Sequence, residues 1–430
     1  MPVWMIACGS LGTRFIMQSL LTHSTIFLLV SCLASLALPA ETGYHKSAAV
    51  SADTRIDWVF CVANQSPQQT PEGWLAGYRS IDQKYECFVP QSYKPGKASP
   101  LVLFISPSDQ PTGFAQWKTI CEKEGILFAS PYGAGNNCET KQRVRIILDV
   151  IDDLRRQYNI DPDRTYLGGF SGGGRIACSI AFALPEYFGG VIPVCAAGDL
   201  REESWLRRRV QDRLSVAHIT GETDFNRGEV ERFRGPMLAD VGVRSKVWVP
   251  NGVGHALPDT KTLAEAYQWL EESATERRKK ARLYPASRAG GNMPPTREQQ
   301  ATQLAAEAQE LIAKPVTKYA GLMLLKGILD RWPDLPEADA AKKTLLEAEQ
   351  TNDPAWQAGD IAEQRKFLIA RARGISEYAL GPLPAQYAAQ KPSMLAAATQ
   401  LWTQVIEDGQ DAQAVADAKQ YLTKLKGAEK

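Results

Sequence analysis

The sequence predicts an α/β fold, a mostly parallel sheet flanked by helices, followed by a separate all-α C-terminal domain. Three observations carry this. Between about residues 55 and 275, short β-rich runs alternate with helix-period runs. One of these runs, Leu101-Val102-Leu103-Phe104-Ile105, is continuously apolar, as strands covered on both faces are. Beyond Thr296 the pattern is helical to the end and rich in Ala, Leu, Gln, Glu and Lys. At 430 residues, and roughly 150 residues per domain, two or three units are expected.

In chain order, strands are expected at 56–62, 85–89, 101–105, 126–129, 165–167, 191–195, 216–220 and 246–249. Val144, Ile147, Leu148, Ile151, Leu154 and Tyr158 fall at three-and-four spacing, which places them on one helical face. The run Glu276-Arg277-Arg278-Lys279-Lys280 reads as a solvated helix end, and residues 285–296, with their Gly, Pro and Ser, as a linker.

The helical tail, 297–430, contains a weak internal repeat. Ile328-Leu329-Asp330 aligns with Val405-Ile406-Glu407, Ala341 with Ala418, and Leu345 with Leu422. The segment 319–346 ends a helix at Arg331-Trp332-Pro333-Asp334 and restarts at Glu337-Ala338, like a tetratricopeptide-type hairpin. Stacked hairpins present an interaction surface, so a protein partner is expected there, with an unrelated helical bundle as the competing reading.

Residues 15–40 contain no Lys, Arg, Asp or Glu and end at Ala37-Leu38-Pro39-Ala40. A basic flank at Arg14, an apolar middle and a small-residue exit describe a cleaved signal peptide over 1–40, hence a secreted or periplasmic protein. A retained membrane anchor and a lipoprotein attached at Cys32 are the alternatives. Export makes disulfides possible among Cys61, Cys87, Cys121, Cys138, Cys178 and Cys195, most simply 61 with 87, 121 with 138 and 178 with 195. The other reading is buried free thiols acting as small hydrophobes. No CxxC pair occurs, so no zinc site or other metal is expected.

Lys and Arg number 49 against 48 Asp and Glu, a net charge of +1, which argues against a nucleic-acid partner. An apolar content of 44% excludes a disordered chain. Histidine is sparse: His23, His45, His218 and His255.

The chemistry concentrates at Gly169-Phe170-Ser171-Gly172-Gly173, a G-x-S-x-G run between the β-type residues 165–167 and a helix-compatible stretch from Arg175. In such a turn, β-carbons two residues either side of the serine would strike neighbouring backbone, and glycine removes them. The serine then stands at a helix N-terminus, whose N–H groups favour developing negative charge. Serine needs a base, and the base an orienting acid. His255 lies in the turn Asn251-Gly252-Val253-Gly254 after a strand and is the expected base, whereas His218 sits within a strand and reads as structural. Asp224 is the expected acid, with Glu222 and then Asp199 as alternatives. An imidazole base must be neutral to accept a proton, so turnover should fall on acidification.

These residues resemble the α/β-hydrolase superfamily. Tyr158-Asn159-Ile160-Asp161-Pro162-Asp163-Arg164, then Gly-Phe-Ser-Gly-Gly-Gly, Gly221-Glu222-Thr223-Asp224 and Gly254-His255 are most similar to secreted esterases related to feruloyl esterases and polyhydroxyalkanoate depolymerases. The resemblance spans about residues 80–272 and implies a catalytic domain at 50–284 without a cofactor. It also implies Ser171 as nucleophile, Asp224 as acid, His255 as base, and an ester as substrate. The oxyanion would be held by the N–H of Gly172 and by one N–H of the loop after residues 101–105. There the family's His-Gly is replaced by Ser106-Pro107-Ser108; proline has no N–H, so Ser108 is the expected donor and Ser106 the fallback. Phe114, Trp117, Tyr132, Trp205 and Phe225 are candidates to line the pocket or simply to pack. Competing functions are a catalytically idle scaffold whose tail binds a partner, and a serine peptidase of the same fold.

Overall fold

The computed structural model describes residues 41–67, 69–281 and 295–428. The expected leader 1–40, with Cys8 and Cys32, and linker residues 285–294 lie outside the described residues. From Thr42 onward the described residues make one compact unit.

Among the described residues an eight-stranded sheet runs in the order β1-β2-β4-β3-β5-β6-β7-β8. Its strands are β1 (Gly43–Ala49), β2 (Lys84–Val89), β3 (Ser99–Ile105), β4 (Leu127–Pro131), β5 (Ile160–Phe170), β6 (Gly190–Val194), β7 (Ser215–Ile219) and β8 (Arg244–Trp248). β2 runs antiparallel to both its neighbours, and the rest of the sheet is parallel. Every residue of β3 is buried, which explains its unbroken apolar run. Val102, Phe104, Tyr166 and Ile192 pack with Trp117 and Ile120 of α1 (Phe114–Glu124) and with Leu263 and Tyr267 of the helix Thr260–Glu272. Leu101, Leu103 and Leu167 alternate to the opposite face and are fully buried as well.

The expected strand at 56–62 does not form. Its neighbourhood lies over the helix Thr140–Gln157, whose carboxylates take the backbone donors. Ser51 N–H donates to Asp153 at 2.9 Å, Thr54 N–H to Asp149 at 2.8 Å and Arg55 N–H to Asp152 at 2.8 Å. Trp58, Val59 and Phe60 are buried without a strand partner, Val59–Cys61 forming one 3-10 turn instead. This cover buries the Thr140–Gln157 helix on more than the one face its periodicity marks: Asp149, Asp152 and Asp153 are fully inaccessible.

None of the three expected disulfides is present; Cys61, Cys87, Cys121, Cys138, Cys178 and Cys195 are all free thiols. They belong to different packed elements, Cys87 to β2, Cys121 to α1 and Cys178 to the helix Gly172–Ala183, where each is a buried small side chain. Burial pushes the Cys87 and Cys178 thiols up to about 12.

The helical region comprises Arg297–Ile312, Lys318–Arg331, Pro336–Gln350, the long Pro354–Leu380, Lys391–Asp408 and Ala412–Ala428. The two repeat segments are two helical hairpins, 318–350 and 391–428. The aligned Ile328 and Val405, and Ala341 and Ala418, are all buried. The hairpin 318–350 is sewn to the sheet layer. Arg331, fully buried, pairs with Glu186 and, at 3.1 Å, with Asp57. Trp205 Nε1–H donates to Asp330 at 2.8 Å, and the following helix Pro354–Leu380 is tied in as well, Ser204 Oγ–H donating to Asp360 at 2.8 Å. Among the described residues no helix is long and apolar enough to cross a membrane.

Candidate active site

β5 ends at Phe170 and the helix Gly172–Ala183 begins one residue later, leaving Ser171 alone on the turn with φ 53° and ψ −121°. A left-handed φ on a non-glycine residue is a strained position that the surroundings must hold. Here the backbone holds it: Ser171 N–H donates to Val194 O at 2.8 Å, and Ser171 O accepts from Gly174 N–H at 2.9 Å. A β-carbon at Gly169 would collide with the Gly173 carbonyl, and one at Gly173 with the Ile105 carbonyl. The flanking glycines are therefore steric requirements of this turn.

His255 follows β8, and Asp224 follows β7, so both loops emerge at the end of the sheet where Ser171 stands. His255 Nε2 lies 3.1 Å from Ser171 Oγ, and His255 Nδ1 lies 2.8 Å from Asp224 Oδ1. Asp224 is buried and accepts two further hydrogen bonds, from Asn226 N–H to Oδ1 at 3.0 Å and from Thr220 Oγ1–H to Oδ2 at 2.7 Å. These fix the carboxylate's plane. The His255 ring is stacked on Phe225 at 4.0 Å between centroids and tilted against Phe170 at 5.0 Å. The alternatives fall elsewhere. Glu222 is exposed and accepts from Gly252 N–H at 2.8 Å, bracing the loop that carries His255, and Asp199 pairs with Arg234.

His218 is fully buried in β7, where loss of water pushes its pKa down to about 4. The unfolded chain therefore binds a proton that the folded chain refuses between about pH 6.5 and 4. Stability should be full above about 6.5 and fall as pH drops through that window, by about 3 kcal/mol in total. Urea unfolding at pH 7 and 4.5 checks this: His218→Leu should lose less stability on acidification than the wild type. Equal losses would show that His218 is protonated in the fold.

In the loop expected to complete an oxyanion hole, one of the two expected donors is already engaged. Gly172 opens its helix, so its N–H has no partner in the helix ladder. Ser108 N–H, however, donates to Ser106 Oγ at 3.1 Å, and the two hydroxyls lie 3.0 Å apart. Two residues absent from the sequence expectations shape this side. Buried Arg143 donates to Ser106 O at 3.2 Å and to Asn136 Oδ1 at 3.3 Å, and the Asn136 amide lies where a β-carbon at Gly172 would project. Arg143 sits one helical turn into an unremarkable basic stretch, so nothing in its own pattern marks it. Of the pocket-lining aromatics, Phe225 reaches the site; Trp117 is core, Trp205 packs on the helical region, Phe114 stacks on Tyr44, and Tyr132 OH donates to Lys46 O.

Sheet order, a nucleophile-type turn after β5, a carboxylate after β7 and an imidazole after β8 coincide in one chain. The fold is that of an α/β-hydrolase. No protein-family model matches the chain. A bifunctional acetylxylan esterase/xylanase of Neocallimastix patriciarum is 26% identical over 156 residues, 34% of this chain and 22% of that one. The chain thus spans less than a quarter of that relative's length. Among solved structures, a thermostable esterase is 21% identical over 45% of this chain and 60% of its own, with a TM-score of 0.34. S-formylglutathione hydrolase of Staphylococcus aureus is 12% identical over 46% and 95%, with a TM-score of 0.35.

Among the described residues, Cys195, Asp224 and His255 bring their donor atoms within 4.8 Å of one another, a spacing a metal ion could bridge. Their chemistry does not fit one in this hydrolase fold. The imidazole and carboxylate are bonded to each other, and burial, then the nearby Asp224 charge, pushes the Cys195 thiol up to about 12. The arrangement suits proton movement: from Ser171 Oγ to His255 Nε2, with the carboxylate behind Nδ1.

Proposed function

We propose that this chain is a serine carboxylic-ester hydrolase that works through an acyl-enzyme on Ser171. The observation carrying the reading is the unbroken hydrogen-bonded line from Ser171 through His255 to Asp224. His255 Nε2 takes the Ser171 proton as Oγ attacks the ester carbonyl. Asp224 stabilises the imidazolium and keeps its proton on Nδ1. The oxyanion is received by Gly172 N–H and by Ser108 N–H, which turns from Ser106 Oγ toward the substrate oxygen. His255 then protonates the leaving alcohol, and water, deprotonated by the same imidazole, releases the acid.

The acetylxylan esterase relative supports ester chemistry and offers a short acyl group as the first substrate class to test. Export rests on the uncharged stretch 15–40. Treatment with an alkyl fluorophosphonate tests the reading: wild-type protein should be labelled on Ser171. Silence would favour the idle scaffold instead.

A further inference from the structure

We propose that the helical C-terminal region is part of the catalytic apparatus: Tyr387, acting through Asn226, holds the Asp224 carboxylate in register with His255. The inference rests on the triad reading above and assigns Tyr387 and Asn226 as positioning residues.

Asp224 rides on a tight turn, its N–H donating to Gly221 O at 3.1 Å. A turn that short leaves its side chain to be aimed by the residues just after it. Asn226 does the aiming, because its N–H donates to the same Oδ1 that receives His255. Asn226 is 3% exposed, so its amide must find partners within the protein. Nδ2–H donates to Cys195 O at 2.9 Å, at a residue whose own φ is 52°. The amide oxygen accepts from Tyr387 OH at 2.9 Å. One end of the amide is thus fixed by the core at the end of β6. The other is fixed by a residue 161 positions later, on the 3-10 turn Ala385–Gln390 of the helical region.

The grip extends along the chain. Beyond Asn226 the segment runs through Arg227–Glu229 into a π-helical turn, Val230–Arg234. Arg232 donates to Pro382 O at 2.6 Å and to Glu377 O at 3.3 Å. Phe233 fits against Gly374 of the helix Pro354–Leu380, where a β-carbon would come within 2.6 Å of the ring. On the other side Glu229 holds Arg175, four residues past the nucleophile, through two bonds of 2.6 and 2.7 Å. The segment carrying the acid is therefore clamped between the nucleophile's helix and the tail. A tail that served only to bind a partner would have no reason to satisfy the amide that aims the acid.

Tyr387→Phe keeps the ring and deletes only the hydroxyl. It should lower kcat for p-nitrophenyl acetate, and the fluorophosphonate labelling rate, about three- to tenfold at a temperature well below unfolding, with KM unchanged and the melting midpoint down by about 2–4 °C as the Asn226 oxygen loses its donor. Asn226→Ala should cost more, about ten- to a hundredfold, and adding Tyr387→Phe to it should cost nothing further. A Tyr387→Phe protein with wild-type rates overturns the inference. So does a loss that persists undiminished in the Asn226→Ala background. Wild-type protein inert to the fluorophosphonate would instead sink the triad reading, and this inference with it.

Discussion

Ser171→Ala should lower the turnover of p-nitrophenyl acetate by about 10⁶ and abolish fluorophosphonate labelling, leaving the melting midpoint within a degree or two. The size reflects the group that the substitution removes. On the proposed mechanism, without Oγ there is no nucleophile for His255 to activate, and the remaining oxyanion donors support only about 10³–10⁴ over water. The small effect on stability reflects how the turn is held. Its positive φ is maintained by Ser171 N–H on Val194 O and by Ser171 O under Gly174 and Arg175, all backbone bonds that alanine keeps. Alanine carries the same β-carbon as serine, so it adds no strain. Wild-type turnover in the alanine protein would refute the acyl-enzyme. A collapsed melting midpoint would show instead that the hydroxyl has a structural role the hydrogen bonds do not reveal.

The parts of this site that could be read in the sequence are those whose constraint is local. Gly169 and Gly173 exist because their β-carbons would strike backbone within the same few residues or on the adjacent strand, and such steric rules leave a motif. His255 was legible by scarcity, since only His218 competed downstream and its strand context marked it as buried. Asp224 and Glu222 follow the same strand, so the sequence ranks Asp224 first but leaves Glu222 open. The structure adds a reason: Glu222 is spent on Gly252 N–H two loops away. The hidden parts depend on contacts across long separations. Residues 56–62 look like a strand by composition, but the segment just before them, Ser51 to Arg55, is pinned by carboxylates about a hundred residues on, and their own backbone donors Trp58, Cys61 and Val62 turn to local carbonyls. β1, Gly43-Tyr44-His45-Lys46-Ser47-Ala48-Ala49, gives no strand signal, because an edge strand with so little buried surface carries no apolar alternation. The cysteines pair well in sequence and not in space, because neighbours along this chain enter different layers. Tyr387 and Asn226 have no common pattern at all; only the folded tail brings them together.

Asp224→Asn should lower kcat by about 10²–10³, less than the 10⁴ lost when an asparagine forces the wrong imidazole tautomer. The difference turns on which end of the new amide faces His255. In this site the Oδ1 position receives two donors, His255 Nδ1–H and Asn226 N–H. An NH₂ group placed there would confront the fixed Asn226 N–H with no acceptor between them. The Oδ2 position faces Thr220 Oγ1, a hydroxyl that donates to a carboxylate and can equally accept from an amide. The amide therefore settles with oxygen toward His255, the Nδ1–H tautomer survives, and Nε2 remains free to take the Ser171 proton. The loss is then the negative charge that stabilises the imidazolium. Thr220→Val checks the argument, because valine cannot accept from the NH₂ and removes the preference for that orientation. In wild-type background Thr220→Val should cost about ten- to a hundredfold, the worth of one hydrogen bond to a charged group. Combined with Asp224→Asn it should deepen the loss toward about 10⁴. If Asp224→Asn alone reaches that depth and Thr220→Val adds nothing, the amide has already turned, and Asn226 N–H does not govern the orientation of the acid.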